Sequence, residues 1–293
     1  MFERCLICTD FTDGLHRLVD FIPNLLAGGF THITFFHSVP YSEEGNRPRE
    51  DTKKLEEARS RLAPALNNIP DGVEIAVEVV SGRPLDTIPR IATERGIEVV
   101  IIGTPSRSLL DEKVFGSTSK GLARAISTPL LIYRPQLITT YTEEELALRC
   151  NHLLRCLLVP YNDSPTARYT IEQLKRYVSD QPTCATQSCM LCWVVDDSSH
   201  PAIPLEPRLQ EAVEKLQPVK AELEALGLEV HVEVRTGNPL TAILDAALVH
   251  DISAIAIGDE DRGVFLNWTV PSVAQDVMRS SWFPVLLFEE GKR

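Results

Sequence analysis

Apolar residues fall in short continuous runs separated by segments with helical spacing. In the first half the runs are Arg4–Thr9, Ile33–Val39, Val73–Val80, Val99–Gly103 and Leu130–Arg134. In the second half they are Arg155–Pro160, Met190–Val195, Leu228–Arg235, Ala254–Gly258 and Val285–Glu289. Strands buried on both faces of a sheet read this way, without polar alternation. Between them, Leu55, Ala58, Leu62 and Leu66 share one helical face, and so do Leu209, Val213, Leu216 and Val219. Gly227 after Leu226 reads as a helix stop. Strand and helix in alternation predict an α/β fold with a parallel sheet covered by helices.

The pattern is written twice. Ser81–Arg134 overlays Thr236–Glu289 without a gap, so that Gly82-Arg-Pro-Leu meets Gly237-Asn-Pro-Leu and Gly103 meets Gly258. A repeat of this length is a duplicated domain. The expected boundaries are 1–138, a linker at 139–152 and 153–293. Thr142-Glu-Glu-Glu145 reads as a capping box, which places a short helix in the linker. Tyr41–Thr52, rich in charge, Gly and Pro, reads as an exposed loop.

Composition narrows the chemistry. The 293 residues are 44% hydrophobic and carry a formal net charge of -12, so nucleic acid is an unexpected partner. No apolar run is long enough for a membrane span, and no signal-peptide layout opens the chain, which points to the cytoplasm. The cysteines number 7, an odd count, and are expected as reduced thiols. Cys5/Cys8 and Cys189/Cys192 have C-x-x-C spacing but sit inside strand candidates, where i and i+3 face opposite ways. They read as buried small hydrophobes. The histidines show no metal-ligand spacing and no nucleophile partner. Trp193, Trp268 and Trp282 read as core or interface.

An open parallel sheet binds ligands beyond the carboxyl ends of its strands, at the switch point of strand order. Asp10 follows the first strand and Gly103 closes the fourth. Gly116-Ser117 is placed like a helix start, whose unpaired N–H groups and positive dipole end favour an anion.

Gly103-x2-Ser106-x9-Gly116-Ser117 resembles the nucleotide motif of the universal stress protein family, G-x2-G-x9-G-[S/T]. Ile7-Cys-Thr-Asp10-Phe-Thr12 resembles the family's opening, Phe36-His37-Ser38 its second-strand end, and Gly82-x-Pro84 its G-x-P. The resemblance implies two domains of the adenine nucleotide alpha hydrolase-like fold, each a parallel sheet of order 3-2-1-4-5. It implies fifth strands paired across a pseudo-two-fold, within one chain or in a homodimer. It also implies ATP, AMP or ADP in the first domain, with Mg2+ accompanying ATP. Asp10 and the backbone around Ser38 would hold the adenine. Gly103, with Ile102 before it, and Ser106 would line the ribose and first phosphates. Gly116, Ser117 and Thr118 would hold the outer phosphates. A stress-response or signalling role follows, with an unidentified protein partner. A ligand-free interaction scaffold and a slow ATPase are the alternatives, although no general base is paired with a metal carboxylate near the motif.

Two departures matter. Ser106 stands where the family has Gly. The second copy reads Gly258-x2-Asp261-x9-Pro271-Ser272, with Asn162 in place of Asp10. Pro271 lacks an N–H, and Asp261 opposes a phosphate by about 1 to 4 kcal/mol at ~4 Å, depending on solvent. The second copy is expected not to bind ATP in the usual way.

Overall fold

The computed structural model describes residues 1–42, 48–104, 117–179, 185–196, 204–260 and 272–290. Its contacts divide the chain into two units, Phe2–Asn151 and His152–Arg293, the second also including Met1.

The first domain holds β1 (Arg4–Cys8), β2 (His32–Val39), β3 (Glu74–Ser81), β4 (Val99–Gly103) and β5 (Leu130–Tyr133). They run parallel in the order β3-β2-β1-β4-β5. The second holds β6 (Cys156–Pro160), β7 (Ser188–Val195), β8 (Glu229–Thr236), β9 (Ala254–Glu260) and β10 (Val285–Glu290). Their order, β8-β7-β6-β9-β10, repeats the first. Both domains therefore have the sheet that the repeat and the resemblance predicted. The central strands β1, β4, β6 and β9 bury nearly every side chain, because helices cover both faces of such a sheet.

The helices of the first domain are α1 (Ile22–Ala27), α2 (Thr52–Leu62), α3 (Pro84–Glu94), α4 (Ser117–Ala125), α5 (Pro135–Ile138) and α6 (Glu143–Asn151). Those of the second are α7 (Pro165–Ser179), α8 (Leu205–Glu224), α9 (Pro239–Val249) and α10 (Val273–Ser280). The same punctuation recurs. Gly82 (φ 142°) and Gly237 (φ 103°) turn the chain out of the third strand of their domains, and Pro84 and Pro239 open the helices that follow. Gly227 takes φ 85° just past α8, as a helix stop requires.

Two predicted helical faces need correction. Leu55, Ala58 and Leu62 are buried, but Leu66 is 47% exposed. A 3-10 turn, Ala63–Leu66, takes over where α2 ends at Leu62, and its tighter pitch brings Ala65 inward instead. In α8 the buried stripe is Ala212, Leu216, Val219 and Leu223, while Val213 is 42% exposed. Leu216 and Val219 lie on the predicted face, and the small residue Ala212 takes the buried place predicted for Val213.

The capping box is present. The Glu145 amide donates to Thr142 Oγ1 (3.2 Å), and Glu145 Oε2 accepts in return from the Tyr141 amide (3.2 Å). The resulting helix, α6, belongs with the first domain. It lies so close to α1 that a Cβ on Gly28 would stand 2.6 Å from the Cys150 carbonyl oxygen. Ser42 and Arg49 pair across the ends of the predicted exposed loop, whose residues 43–47 lie outside the described set.

Cys5, Cys8, Cys189 and Cys192 are buried and reduced. Burial pushes the Cys192 thiol up to about 12, so it stays protonated and inert. Cys184 lies outside the described residues.

Gly28→Ala adds one methyl where backbone blocks it. We expect a loss of about 1–3 kcal/mol by chemical denaturation. Limited proteolysis near exposed Tyr141 should become faster as α6 detaches.

Candidate functional site

In the first domain the carboxyl end of β1 runs into a loop tied by two aspartates. Asp10 Oδ1 accepts from the Thr12 amide (2.7 Å), the Thr12 hydroxyl (2.7 Å) and the Asp13 amide (3.1 Å). Such a short acceptor closes a turn through its own backbone. Asp13 Oδ1 accepts from Thr9 Oγ1 (2.7 Å) and the Leu15 amide (2.9 Å), and its Oδ2 from the Asp10 amide (3.3 Å). Asp13 is only 5% exposed. Burial raises its pKa, partly offset by the Thr9 and Leu15 hydrogen bonds.

Asp13 also explains Gly103. A Cβ at Gly103 would lie 2.4 Å from Asp13 Cβ. The glycine that ends β4 therefore lets the loop after β1 close onto the sheet. Between two tying aspartates, Phe11 adopts φ 66°. Its ring sits 4.5 Å from that of His37 and 5.7 Å from that of His16, with the Arg61 guanidinium 3.9 Å from its centroid. His37 Nδ1 donates to the Thr9 carbonyl (2.8 Å), which fixes its tautomer.

The predicted residues divide into three groups. Asp10, Ser38, Ile102 and Gly103 stand at the carboxyl ends of β1, β2 and β4. Of these, Asp10 and Gly103 are joined through Asp13. Ser38 turns instead to α3, donating to the Gly82 carbonyl (2.8 Å) and accepting from Thr87 Oγ1 (3.4 Å). Ser117 and Thr118 open α4, and nothing more is described of their side chains. Ser106 and Gly116 lie outside the described residues. Asp13, Phe11 and Arg61 were not singled out from sequence. The pair Asp10 and Asp13, spaced to cap one turn, was the signal for the first of them.

The second domain repeats this geometry with other chemistry. Asp163 (φ 61°) occupies the loop position of Phe11 and pairs with Arg168 (2.7 Å) and Lys215 (3.4 Å), which hold its carboxyl below the usual range. Asn162 Oδ1 accepts from the Ser164 amide (3.2 Å). A Cβ at Gly258 would lie 2.6 Å from Thr170 Oγ1, so this glycine admits the first turns of α7 against β9. Beside it lies a cavity of about 340 Å3, between the carboxyl ends of β6, β7 and β9 and the start of α10. Ser272 caps α10 by accepting from the Gln275 amide (3.1 Å) and donates to Asp259 Oδ1 (3.2 Å). Asp261 and Pro271, read from sequence as departures of the second copy, lie outside the described residues. Asp259, next to Gly258, is a carboxylate at the helix start that the motif spacing passed over.

Among the described residues, no group of three or more His, Cys, Asp or Glu could hold a metal ion. No helix among them is long and apolar enough to cross a membrane.

Gly103→Ala should cost about 1–3 kcal/mol, because the methyl meets Asp13 rather than a flexible chain end. Denaturant titration checks it. The raised Asp13 pKa means that its charged form weakens the fold. Its contribution should therefore improve as pH falls from neutral through the folded pKa toward 3.8. Asp13→Asn should lack that gain, so the difference in unfolding free energy between the two proteins should shift toward wild type on acidification.

The universal stress protein family model matches residues 1–134 and 155–289. A universal stress protein of Methanocaldococcus jannaschii is 25% identical over 83 residues, 28% of this chain. The chain matches about half of that relative's length, 51%. In overall fold the chain is similar to a universal stress protein of Archaeoglobus fulgidus, with TM-score 0.68, 18% identity and 99% of each chain covered. It is also similar to a protein of Pseudomonas aeruginosa PAO1, with TM-score 0.59, 14% identity, and 98% and 92% of the two chains covered. With both matched segments lying on the two repeated sheets, the chain belongs to the universal stress protein family.

Proposed function

We propose that the first domain binds an adenine nucleotide, ATP or its mono- or diphosphate, and that the chain acts as a stress-response or signalling module. One observation carries this reading. The segment spaced Gly103-x2-Ser106-x9-Gly116-Ser117 begins at the last residue of β4 and finishes at the first residue of α4. A strand end followed by a helix start is where an α/β sheet presents free amides to an anion. In this reading Asp10 and the Ser38 backbone flank the base, and Ile102, Gly103 and Ser106 lie along the ribose and first phosphate. Gly116, Ser117 and Thr118 take the outer phosphates. Magnesium would travel on the triphosphate, since the described residues gather no ligand set of their own. The protein's contribution is to bind and orient, and no hydrolytic step is assigned.

A second reading has its own support. The Asp10 and Ser38 side chains are already engaged within the protein, which suits a ligand-free interaction scaffold.

Titration with a fluorescent ATP analogue separates the two. We expect saturable binding by the wild type and loss of it in Gly116→Val, whose side chain would crowd the phosphates. ATP at a hundredfold excess over Kd should stabilise the fold by about 2.7 kcal/mol. Equal binding by both proteins would overturn the assignment, and no stabilisation by ATP would favour the scaffold.

A further inference from the structure

We infer that the second domain carries a pH-sensitive clamp, in which protonated His250 holds the end of α9 to the edge strand β8, where the first domain carries a permanent clamp. His250 stands at the opposite end of α9 from Pro239, which lines the cavity. The inference does not depend on nucleotide binding in either domain.

The two domains match here position by position. Arg95 ends α3 with φ -101° and ψ 4°, and its repeat partner His250 ends α9 with φ -109° and ψ 21°. A left-handed residue follows each, Gly96 at φ 58° and Asp251 at φ 50°. The backbone therefore delivers both side chains to the same place. Opposite them, each edge strand keeps two glutamates, Glu74 and Glu78 on β3 and Glu229 and Glu233 on β8. An even spacing puts both members of a pair on one face of the strand.

The cations differ. In the first domain Arg95 pairs with Glu78 and also with Glu74 (3.5 Å). A guanidinium keeps its charge throughout the pH range of folded proteins. In the second domain the work is divided. His231 lies 3.1 Å from Glu229, Arg235 lies 2.8 Å from Glu233 Oε1, and His250 Nε2 lies 3.0 Å from Glu233 Oε2.

Exposure decides which pair matters. The Glu229 and His231 side chains are 72% and 60% exposed, so their pair contributes little. Glu233 is 26% exposed, and its Oε2 is buried with no hydrogen-bond partner among the described residues. That oxygen depends on the charge of His250. With the ring neutral, a buried carboxylate oxygen faces an uncharged nitrogen and is destabilised. With the ring protonated, the two attract. An imidazole gains its proton as pH falls from about 8 to about 5, so the clamp is closed on the acid side and weakens as pH rises.

The other groups around His250 do not change charge in that window. On β7, Cys192 stands in register with Glu233, and its thiol is pushed up to about 12. Asp245 and Asp251 lie in the same segment as His250, and α10, which packs on α9, carries Asp276 and Arg279. Carboxylates and guanidinium groups ordinarily titrate outside the range of an imidazole.

Hydrogen exchange of the full chain, read by mass spectrometry and corrected for the intrinsic rate at each pH, tests the clamp. Protection in peptides 229–236 and 246–252 should fall about fivefold from about pH 5.5 to about pH 8. The matching first-domain peptides, 74–81 and 91–97, should change less than about twofold. His250→Arg restores the permanent cation and should hold the high protection at both pH values. His250→Gln should show the low protection at both, and His231→Gln should keep the wild-type response. A melting curve confirms that each variant folds, and should His250→Arg not fold, His250→Gln carries the test. The inference is overturned by any of three results: no fall in the wild type, an equal fall in His250→Gln, or an equal fall in the first-domain peptides.

Discussion

Both domains depend on one close approach, between a glycine at or near the carboxyl end of the fourth strand and the segment that follows the first. In the first domain the partner of Gly103 is Asp13, and in the second the partners of Gly258 are Thr166 and Thr170. Any Cβ at either glycine would overlap these atoms. Because the fourth strand neighbours the first in the sheet, this contact fixes the shape of the crevice at the switch point. It holds the first-strand loop in place, and that loop in turn sets which groups face a ligand.

The two crevices then diverge through what the loop carries. In the first domain two aspartates tie the loop, and an aromatic ring fills its apex between two histidines and Arg61. In the second, an aspartate holds two cations at the same left-handed position, and a cavity lies alongside. Duplication kept the backbone and released the side chains, as expected where fold and site are separate constraints.

Much of this was legible in the chain. Strand runs, the repeat, the Gly-x-Pro turns and the capping box at Thr142 are all local signals, and each marks a real element. One position on each of two helical faces was misplaced. Leu66 and Val213 fit a helical period, but the 3-10 turn at Ala63 and the small residue Ala212 moved the buried side. Hydrophobicity counts large side chains, whereas packing counts the space each position has.

The sequence by itself determined the duplicated α/β architecture and the position of the switch point in each half. Backbone preferences and apolar periodicity act over a few residues and do not need the rest of the molecule. Only the tertiary structure decided that Asp13 lies beneath Gly103, that Asp259 rather than a motif residue stands by the cap of α10, and that the second crevice is open enough to form a cavity. Each of these brings together groups far apart in the chain, and their meeting follows from sheet order and helix docking, which no local pattern encodes.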